Sequence, residues 1–177
     1  MRILLLSCFV LIIIGCGPKS IPYSQNADTS EPNASARAHY EWGIEYAKTG
    51  DLTQAVTELK LAIENEPRWA LPHYNLGSVY GNMGQLDKAI RAWERATQLD
   101  TDFAKAYYNL AVAYAVKAEN TSRTGGELVF IEKSIVSLRQ SIRVDKSALT
   151  AAKMEEAFDN FRDLPDFKTL FKETEQE

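Results

Sequence analysis

The stretch ALPHYNLGSVYGNMGQLDKAIRAWERATQLDTDF, from Ala70 to Phe103, is repeated on both sides of itself at a fixed interval. The stretch before it, from Ala36 to Trp69, reads ARAHYEWGIEYAKTGDLTQAVTELKLAIENEPRW, and the stretch after it begins AKAYYNLAVAYAVKAE. Two tyrosine positions recur at this spacing: Tyr40, Tyr74 and Tyr108, then Tyr46, Tyr80 and Tyr114. A regular period of about 34 residues predicts an array of similar stacked units.

Each unit has the pattern of two helices joined by a tight turn. In the second unit, Pro72 falls in the first turn of a helix, where its missing N–H is harmless, and this helix runs to about Met83. Gly84 can take the left-handed conformation that closes a helix, and a second helix follows from about Leu86 to Leu99. The apolar spacing is that of amphipathic α-helices, without a strand-like alternation. The sequence therefore predicts an all-α fold.

The first unit has the clearest turn signal, with Gly50 closing one helix and Asp51 capping the next, three residues before Gln54. Both units resemble the tetratricopeptide repeat (TPR), a helix-turn-helix unit of about 34 residues. The matching residues of the first unit are Trp42, Gly43, Tyr46, Gly50, Ala55, Leu59, Ala62 and Pro67. Those of the second are Tyr74, Asn75, Leu76, Gly77, Tyr80, Gly84, Ala89, Trp93 and Ala96. The resemblance implies an α-α superhelix, a TPR solenoid of about three repeats at residues 36–69, 70–103 and 104–146.

Small and large residues alternate in a way that predicts close helix packing. A glycine inside a helix costs about 1 kcal/mol relative to alanine, so Gly43 and Gly77 indicate points where a second helix approaches too closely for a side chain. The alanines expected to do the same on the second helices are Ala55, Ala62, Ala89 and Ala96. The large residues expected to fill the space between layers are Trp42, Leu59, Leu76, Trp93, Leu110 and Leu138.

The third repeat and the residues after it depart from this pattern. An insertion near residues 119–129 contains Gly125-Gly126, which we interpret as an exposed loop; the sequence leaves open whether the loop is functional. Residues 147–177 are predicted to form C-terminal capping helices, one from Leu149 to Phe161 and one from Asp166 to about Lys172. The alternative for this region is a helix that docks a partner.

The first residues resemble a bacterial lipoprotein signal. Arg2 precedes a short apolar run, Ile3 to Ile14, which cannot form a membrane-spanning helix of about 20 residues. Ile13-Ile14-Gly15-Cys16 resembles a lipobox, which implies a signal peptide at residues 1–15 and a lipidated Cys16, with an ordinary signal peptide as the alternative. Residues 16–35 have a linker composition. Gly17 is not the aspartate that commonly retains lipoproteins in the inner membrane, so the resemblance implies the periplasmic face of the outer membrane.

The composition gives no indication of a catalytic, metal or nucleic-acid site. The formal charge is −4, and no basic stripe is present. His39 and His73 lie one repeat apart, and we interpret both as packing residues because no third ligand accompanies them. No nucleophile-and-base pair or phosphate-binding glycine loop appears. We therefore expect no enzyme activity, no cofactor, no metal, no nucleic acid and no small-molecule substrate.

The resemblance implies a concave groove lined by the first helix of each repeat. We expect the groove to bind an extended or helical segment of a protein partner. The predicted groove residues are Arg37, Tyr40, Ile44, Tyr74, Asn75, Ser78, Lys105, Tyr108, Asn109 and Val112. Some relatives clamp a C-terminal carboxylate with lysine, asparagine and arginine. Only Asn75 and Lys105 match that clamp here, so we expect no tight binding of acidic C-terminal peptides.

The sequence therefore favours a membrane-anchored interaction scaffold or adaptor of the bacterial cell envelope. By resemblance, such proteins assist pilus, secretin, outer-membrane protein or cell-wall machinery. Two alternatives stay open. One is an oligomeric structural lipoprotein that associates through Phe158, Phe161, Phe167 and Phe171. The other is an envelope enzyme.

Overall fold

The computed structural model describes residues 32–121 and 125–173, and within these ranges the regular structure is entirely helical. The helices are α1 (Ala34–Thr49), α2 (Leu52–Asn65), α3 (Ala70–Asn82), α4 (Leu86–Leu99), α5 (Ala104–Thr121), α6 (Glu127–Val144), α7 (Ser147–Met154), a 3₁₀ helix (Glu156–Phe161) and α8 (Pro165–Glu173). The prediction of an all-α repeat fold is confirmed. The predicted signal peptide, Cys16 and most of the linker lie outside the described residues. No helix in the described ranges is long and apolar enough to cross a bilayer.

The turns inside the first two repeats follow the predicted chemistry. Gly50 and Gly84 have φ values of 86° and 70°, which only glycine adopts without strain. The side chain of Asp51 accepts a hydrogen bond from the backbone N–H of Gln54 at 3.1 Å, so it caps α2 as expected. The range of α4 is also the one that the sequence indicates.

Helix pairs within a repeat approach at the predicted glycines. A Cβ on Gly43 would lie 2.7 Å from Cγ of Leu59, and one on Gly77 would lie 2.6 Å from Cδ1 of Trp93. The four small residues predicted on the second helices are completely buried: Ala55, Ala62, Ala89 and Ala96. Small residues on both helices therefore leave room for the one large side chain between them.

One residue predicted to fill the core is exposed. Trp42 is 54 % exposed, whereas Leu76 and Leu110, at the same position of the second and third repeats, are 7 % and 4 % exposed. The difference has a geometric reason, because α2 packs against α3 and α4 packs against α5. Among the described residues, no helix of a preceding repeat covers α1.

The described residues of the insertion correct the loop prediction in part: residues 119–121 and 127–129 are helical, whereas Gly125 lies exposed in a turn, as expected. These helical residues extend both flanking helices. The first helix α5 has 18 residues, against 16 in α1 and 13 in α3, and the second helix α6 has 18, against 14 in α2 and α4. The physical reason is apolar packing, since the ring of Phe130 stacks on Tyr114 with 6.3 Å between centroids. The hydroxyls of Ser134 and Ser141 donate to the carbonyls of Ala111 and Ala104, which locks α6 onto α5.

The first C-terminal α-helix ends at Met154, about two turns before the predicted end at Phe161. The expected helix Leu149–Phe161 is instead α7 followed by the 3₁₀ helix, because Glu155 is extended (φ −80°, ψ 114°). Met154, the last residue of α7, is exposed. The buried residues here are Phe158, Phe161, Phe167 and Leu170, and they share one core cluster with Leu138 and Ile142 of α6. This packing is that of a cap, and it leaves Phe158, Phe161 and Phe167 unavailable for the proposed oligomeric contact.

Candidate partner-binding groove

Three tyrosines mark the same position on the first helix of each repeat. Tyr40 and Tyr74 are half-buried, and their rings contact Trp69 and Phe103 with centroid distances of 4.8 and 4.7 Å. Trp69 and Phe103 are themselves one repeat apart and directly precede α3 and α5. Each ring is therefore fixed by the last residue of its own repeat. The sequence analysis missed this pair, although two aromatic residues at the repeat spacing were a usable signal.

A hydrogen bond joins the first helices of the first two repeats. The side-chain amide of Asn75 donates to the hydroxyl oxygen of Tyr40 at 3.1 Å and to the carbonyl of Leu71 at 3.1 Å. Burial raises the pKa of Tyr40, and the hydrogen bond from Asn75 opposes this shift. Both N–H groups of Asn75 are thus used within the chain, and Tyr40 presents a neutral hydroxyl.

The backbone of α3 is held at the centre of this surface. The indole N–H of Trp93 donates to the carbonyl of Tyr74 at 3.1 Å, and the hydroxyl of Ser78 donates to the same carbonyl at 3.2 Å. A packed second helix therefore positions Tyr74 from behind. Such a site on a rigid helix is preorganised, which lowers the entropy lost when a partner binds.

The third tyrosine position is partly covered by the chain itself. Tyr108 contacts Phe158 edge-on, with 6.4 Å between centroids, and its hydroxyl donates to Glu155 at 3.5 Å. Burial and the nearby Glu155 carboxylate raise the pKa of Tyr108 to about 12. Val112, one turn further along α5, packs against the same C-terminal cluster. The surface that a partner could contact beside Tyr40 and Tyr74 therefore becomes narrower at α5.

The other predicted groove residues differ in exposure. Arg37 on α1 and Lys105 on α5 are exposed, and Ile44, Ser78 and Asn109 are half-buried. Hydrogen bonds from Ser147 lower the pKa of Asp145, and the charge of Lys105 adds to this effect. Lys105 thus lies within electrostatic range of an acidic group after α6.

The two histidines lie in separate local environments. Nδ1 of His39 is 2.7 Å from a carboxylate oxygen of Glu58, and Nε2 of His73 is 3.2 Å from the carbonyl of Pro67. Burial lowers the pKa of His73, and the charge of Arg95 contributes in the same direction. Among the described residues, no group of three or more His, Cys, Asp or Glu side chains could hold a metal ion.

Comparisons with known proteins agree with the repeat fold. A family model of the TPR repeat matches residues 43–84 and 82–116. The crystal structure of MamA superimposes with a TM-score of 0.57 at 24 % identity, over 80 % of this chain and 79 % of MamA. YrrB, described as a TPR protein with an unusual peptide-binding site, gives 0.56 at 25 % identity, over 68 % and 58 % of the two chains.

A third similar structure contains a bound peptide. The first TPR of Spaghetti (RPAP3), bound to the HSP90 peptide SRMEEVD, gives a TM-score of 0.54 at 16 % identity, over 80 % of this chain and 94 % of that domain. A comparison with curated protein sequences finds no match. The TPR fold is that of a protein–protein interaction scaffold. Residues 43–116, over which the family model matches, therefore form TPR repeats.

Proposed function

We propose that this protein is a lipid-anchored scaffold of the bacterial cell envelope, and that it binds a segment of a partner protein beside Tyr40 and Tyr74. The observation that carries the proposal is the hydrogen bond from Asn75 to Tyr40, because it aligns the first helices of two repeats. Two fixed aromatic rings one repeat apart offer flat faces to a bound peptide. The cap over Tyr108 favours a short segment over a long wrapped chain.

The partner segment differs in chemistry from an acidic C-terminal peptide. Tyr40 and Ile44 stand where a carboxylate clamp needs lysine and asparagine, and Asn109 replaces the arginine. Asn75 keeps the matching residue type, but both of its N–H groups already donate within the chain. We therefore favour a partner that contributes apolar side chains and backbone groups, with Arg37 and Lys105 as the nearby cations.

The anchor rests on the sequence before the described residues. The lipobox-like Ile13-Ile14-Gly15-Cys16 supports lipidation of Cys16, and two acyl chains give stable membrane attachment where one is marginal. Gly17 supports the outer membrane as the destination, with the repeats on its periplasmic face. The machinery that the scaffold serves is one of the envelope assemblies named above, such as pilus, secretin, outer-membrane protein or cell-wall machinery.

The groove is tested by photocrosslinking in living cells. A photoreactive phenylalanine derivative at Tyr74 is compared with the same residue at Arg91, which is exposed on the second helix of the same repeat, α4. We expect one dominant adduct from position 74 that is absent from position 91. Identical adducts from the two positions, or no adduct from position 74, would reject the groove.

The anchor is tested separately by fractionation. Cells that express the unchanged protein should incorporate a labelled fatty acid at Cys16 and retain the protein in the membrane fraction. Cys16→Ser should abolish both labelling and retention, whereas Cys8→Ser should leave both unchanged. Membrane retention of the Cys16→Ser variant would contradict lipid anchoring without bearing on the groove.

A further inference from the structure

Within residues 32–121 and 125–173, one helix face of the first repeat is left exposed; we call it the N-terminal edge and define it by Trp42, Glu45 and Tyr46 of α1. The repeat period allows a comparison of the same position in three environments. Trp42 is 54 % exposed and its equivalents Leu76 and Leu110 are buried; Tyr46 is 39 % exposed and its equivalents Tyr80 and Tyr114 are 9 % and 5 % exposed. The N-terminal edge is thus an apolar face that the other two repeats bury.

The other repeats show which kind of element fits this face. α2 packs against α3, and α4 packs against α5, where the hydroxyl of Tyr114 donates to Glu94 of α4. Tyr80 also contacts α4 of its own repeat, since Nζ of Lys88 lies 5.4 Å from its ring centroid. In both cases, the covering element is a 14-residue amphipathic helix. An amphipathic helix could therefore pack on the N-terminal edge of α1 in the same way that α2 packs on α3.

The charge of the N-terminal edge differs from that of its buried equivalents. Glu45 occupies the position of Val79 and Ala113, which are both buried. Glu41 occupies the position of Asn75, the residue that reaches back to the preceding repeat. Glu45 has only an exposed contact with Lys48 at 3.6 Å, and such surface pairs contribute little. Two carboxylates beside Trp42 and Tyr46 thus favour a basic partner.

A second copy of this chain is a poor candidate to cover the edge. α7 and α8 pack against α6, the last helix of the array, so they occupy part of the surface that head-to-tail stacking would need. A symmetric contact of α1 with α1 would bring like-charged Glu45 side chains together.

We propose that the N-terminal edge binds a basic amphipathic helix of another protein. The apolar side chains of that helix cover Trp42 and Tyr46, and its lysine or arginine side chains pair with Glu41 and Glu45. This second binding surface is separate from the groove, because Tyr40 and Tyr74 contact Trp69 and Phe103 on the side of the following repeats.

The chain itself supplies two matched probes. A synthetic helix with the sequence of α4, residues 86–99, carries three basic and two acidic side chains. One with the sequence of α2, residues 52–65, carries one basic and two acidic side chains. Both sequences come from second helices of this fold, and they differ in net charge as well as in apolar side chains such as Leu59 and Trp93. Because isolated helices of this length are marginal in water, both peptides are stabilised by a lactam bridge on the polar face.

Binding of each fluorescently labelled peptide to the full chain is measured by anisotropy. We expect the α4 peptide to bind about tenfold more tightly than the α2 peptide. Glu45→Lys should reverse this preference. Trp42→Ala should weaken the binding of the α4 peptide at least about tenfold. Tyr74→Ala, a groove variant, should leave both affinities unchanged, which separates this proposal from the groove.

Three results would overturn the proposal. The first is that neither peptide binds. The second is that Trp42→Ala and Glu45→Lys leave the affinities unchanged. The third is a concentration-dependent dimer in sedimentation that Trp42→Ala dissociates, since this would make a second copy the occupant. Circular dichroism of each variant confirms that the fold is retained.

Discussion

The indole of Trp93 lies so close to Gly77 that a Cβ at residue 77 would be 2.6 Å from its Cδ1 atom. This contact joins the two helices of the central repeat, and the same indole donates its N–H to the carbonyl of Tyr74. One side chain therefore both packs the repeat and positions the centre of the proposed groove. Stability and binding are coupled at this point.

Replacement of Gly77 by alanine should destabilise the fold. The added methyl group overpacks the core, which costs about 1–3 kcal/mol and is only partly offset by a helix-propensity gain of about 1 kcal/mol. We expect a net loss of about 1–2 kcal/mol in urea unfolding. Gly81→Ala is the matched control, since its Cβ would lie at an ordinary 3.4 Å from Trp93. Equal effects of the two substitutions would contradict the packing described for Trp93.

Truncation of the side chain at the same repeat position should lower the free energy of unfolding by different amounts in different repeats. Leu110→Ala removes a buried side chain and should lower the free energy of unfolding by about 2–5 kcal/mol. Trp42→Ala removes a larger but half-exposed side chain and should cost less than about 1 kcal/mol. Denaturant unfolding of both variants measures the difference. A larger loss for Trp42→Ala would show that the N-terminal edge is covered in solution.

The C-terminal residues should act as a cap. Phe158→Ala opens a cavity in the cluster beneath the 3₁₀ helix and should lower the free energy of unfolding by about 3–5 kcal/mol. Met154→Ala, at an exposed position in the same region, should have little effect. Light scattering should give one molar mass for the unchanged chain and both variants. A fall in mass with Phe158→Ala at unchanged stability would favour a docking role over capping.

The contact between Tyr108 and Glu155 should be visible in a titration. Tyr108 has a pKa of about 12 against a reference of 10.0, so the folded state favours the neutral phenol. This contribution to stability is present below pH 10 and is lost as the pH rises through about 12. In Glu155→Gln, the pKa of Tyr108 should fall toward 10, as measured by NMR of the labelled ring carbon. An unchanged pKa would remove Glu155 as a cause.

Local features of the sequence predicted most of the array. Gly84 and the range of α4 follow from turn chemistry and amphipathic spacing, which act within one repeat. The exposure of Trp42 did not follow, because a repeat position is buried only when a neighbouring helix covers it. The break at Glu155 was also missed, since the spacing of Phe158 and Phe161 fits both an α-helix and a 3₁₀ helix.

The candidate groove was predicted less completely than the fold. The tyrosine positions follow from the repeat period, but their ring partners depend on how one repeat meets the next. The cover over Tyr108 depends on Glu155 and Phe158, which lie far along the chain and which no repeat pattern connects to it. Contacts between segments that the repeat period does not relate could therefore be identified only from the structure.

The most direct test of the central claim is the affinity of the partner segment crosslinked from position 74. A synthetic peptide of that segment is titrated calorimetrically into the unchanged chain, Tyr74→Ala, Ser78→Arg and Arg91→Ala, each checked for folding by circular dichroism. We predict that Tyr74→Ala and Ser78→Arg weaken binding at least about tenfold, as expected of central contact residues, whereas Arg91→Ala leaves it unchanged. Equal affinities for all four proteins would contradict a groove formed by the first helices.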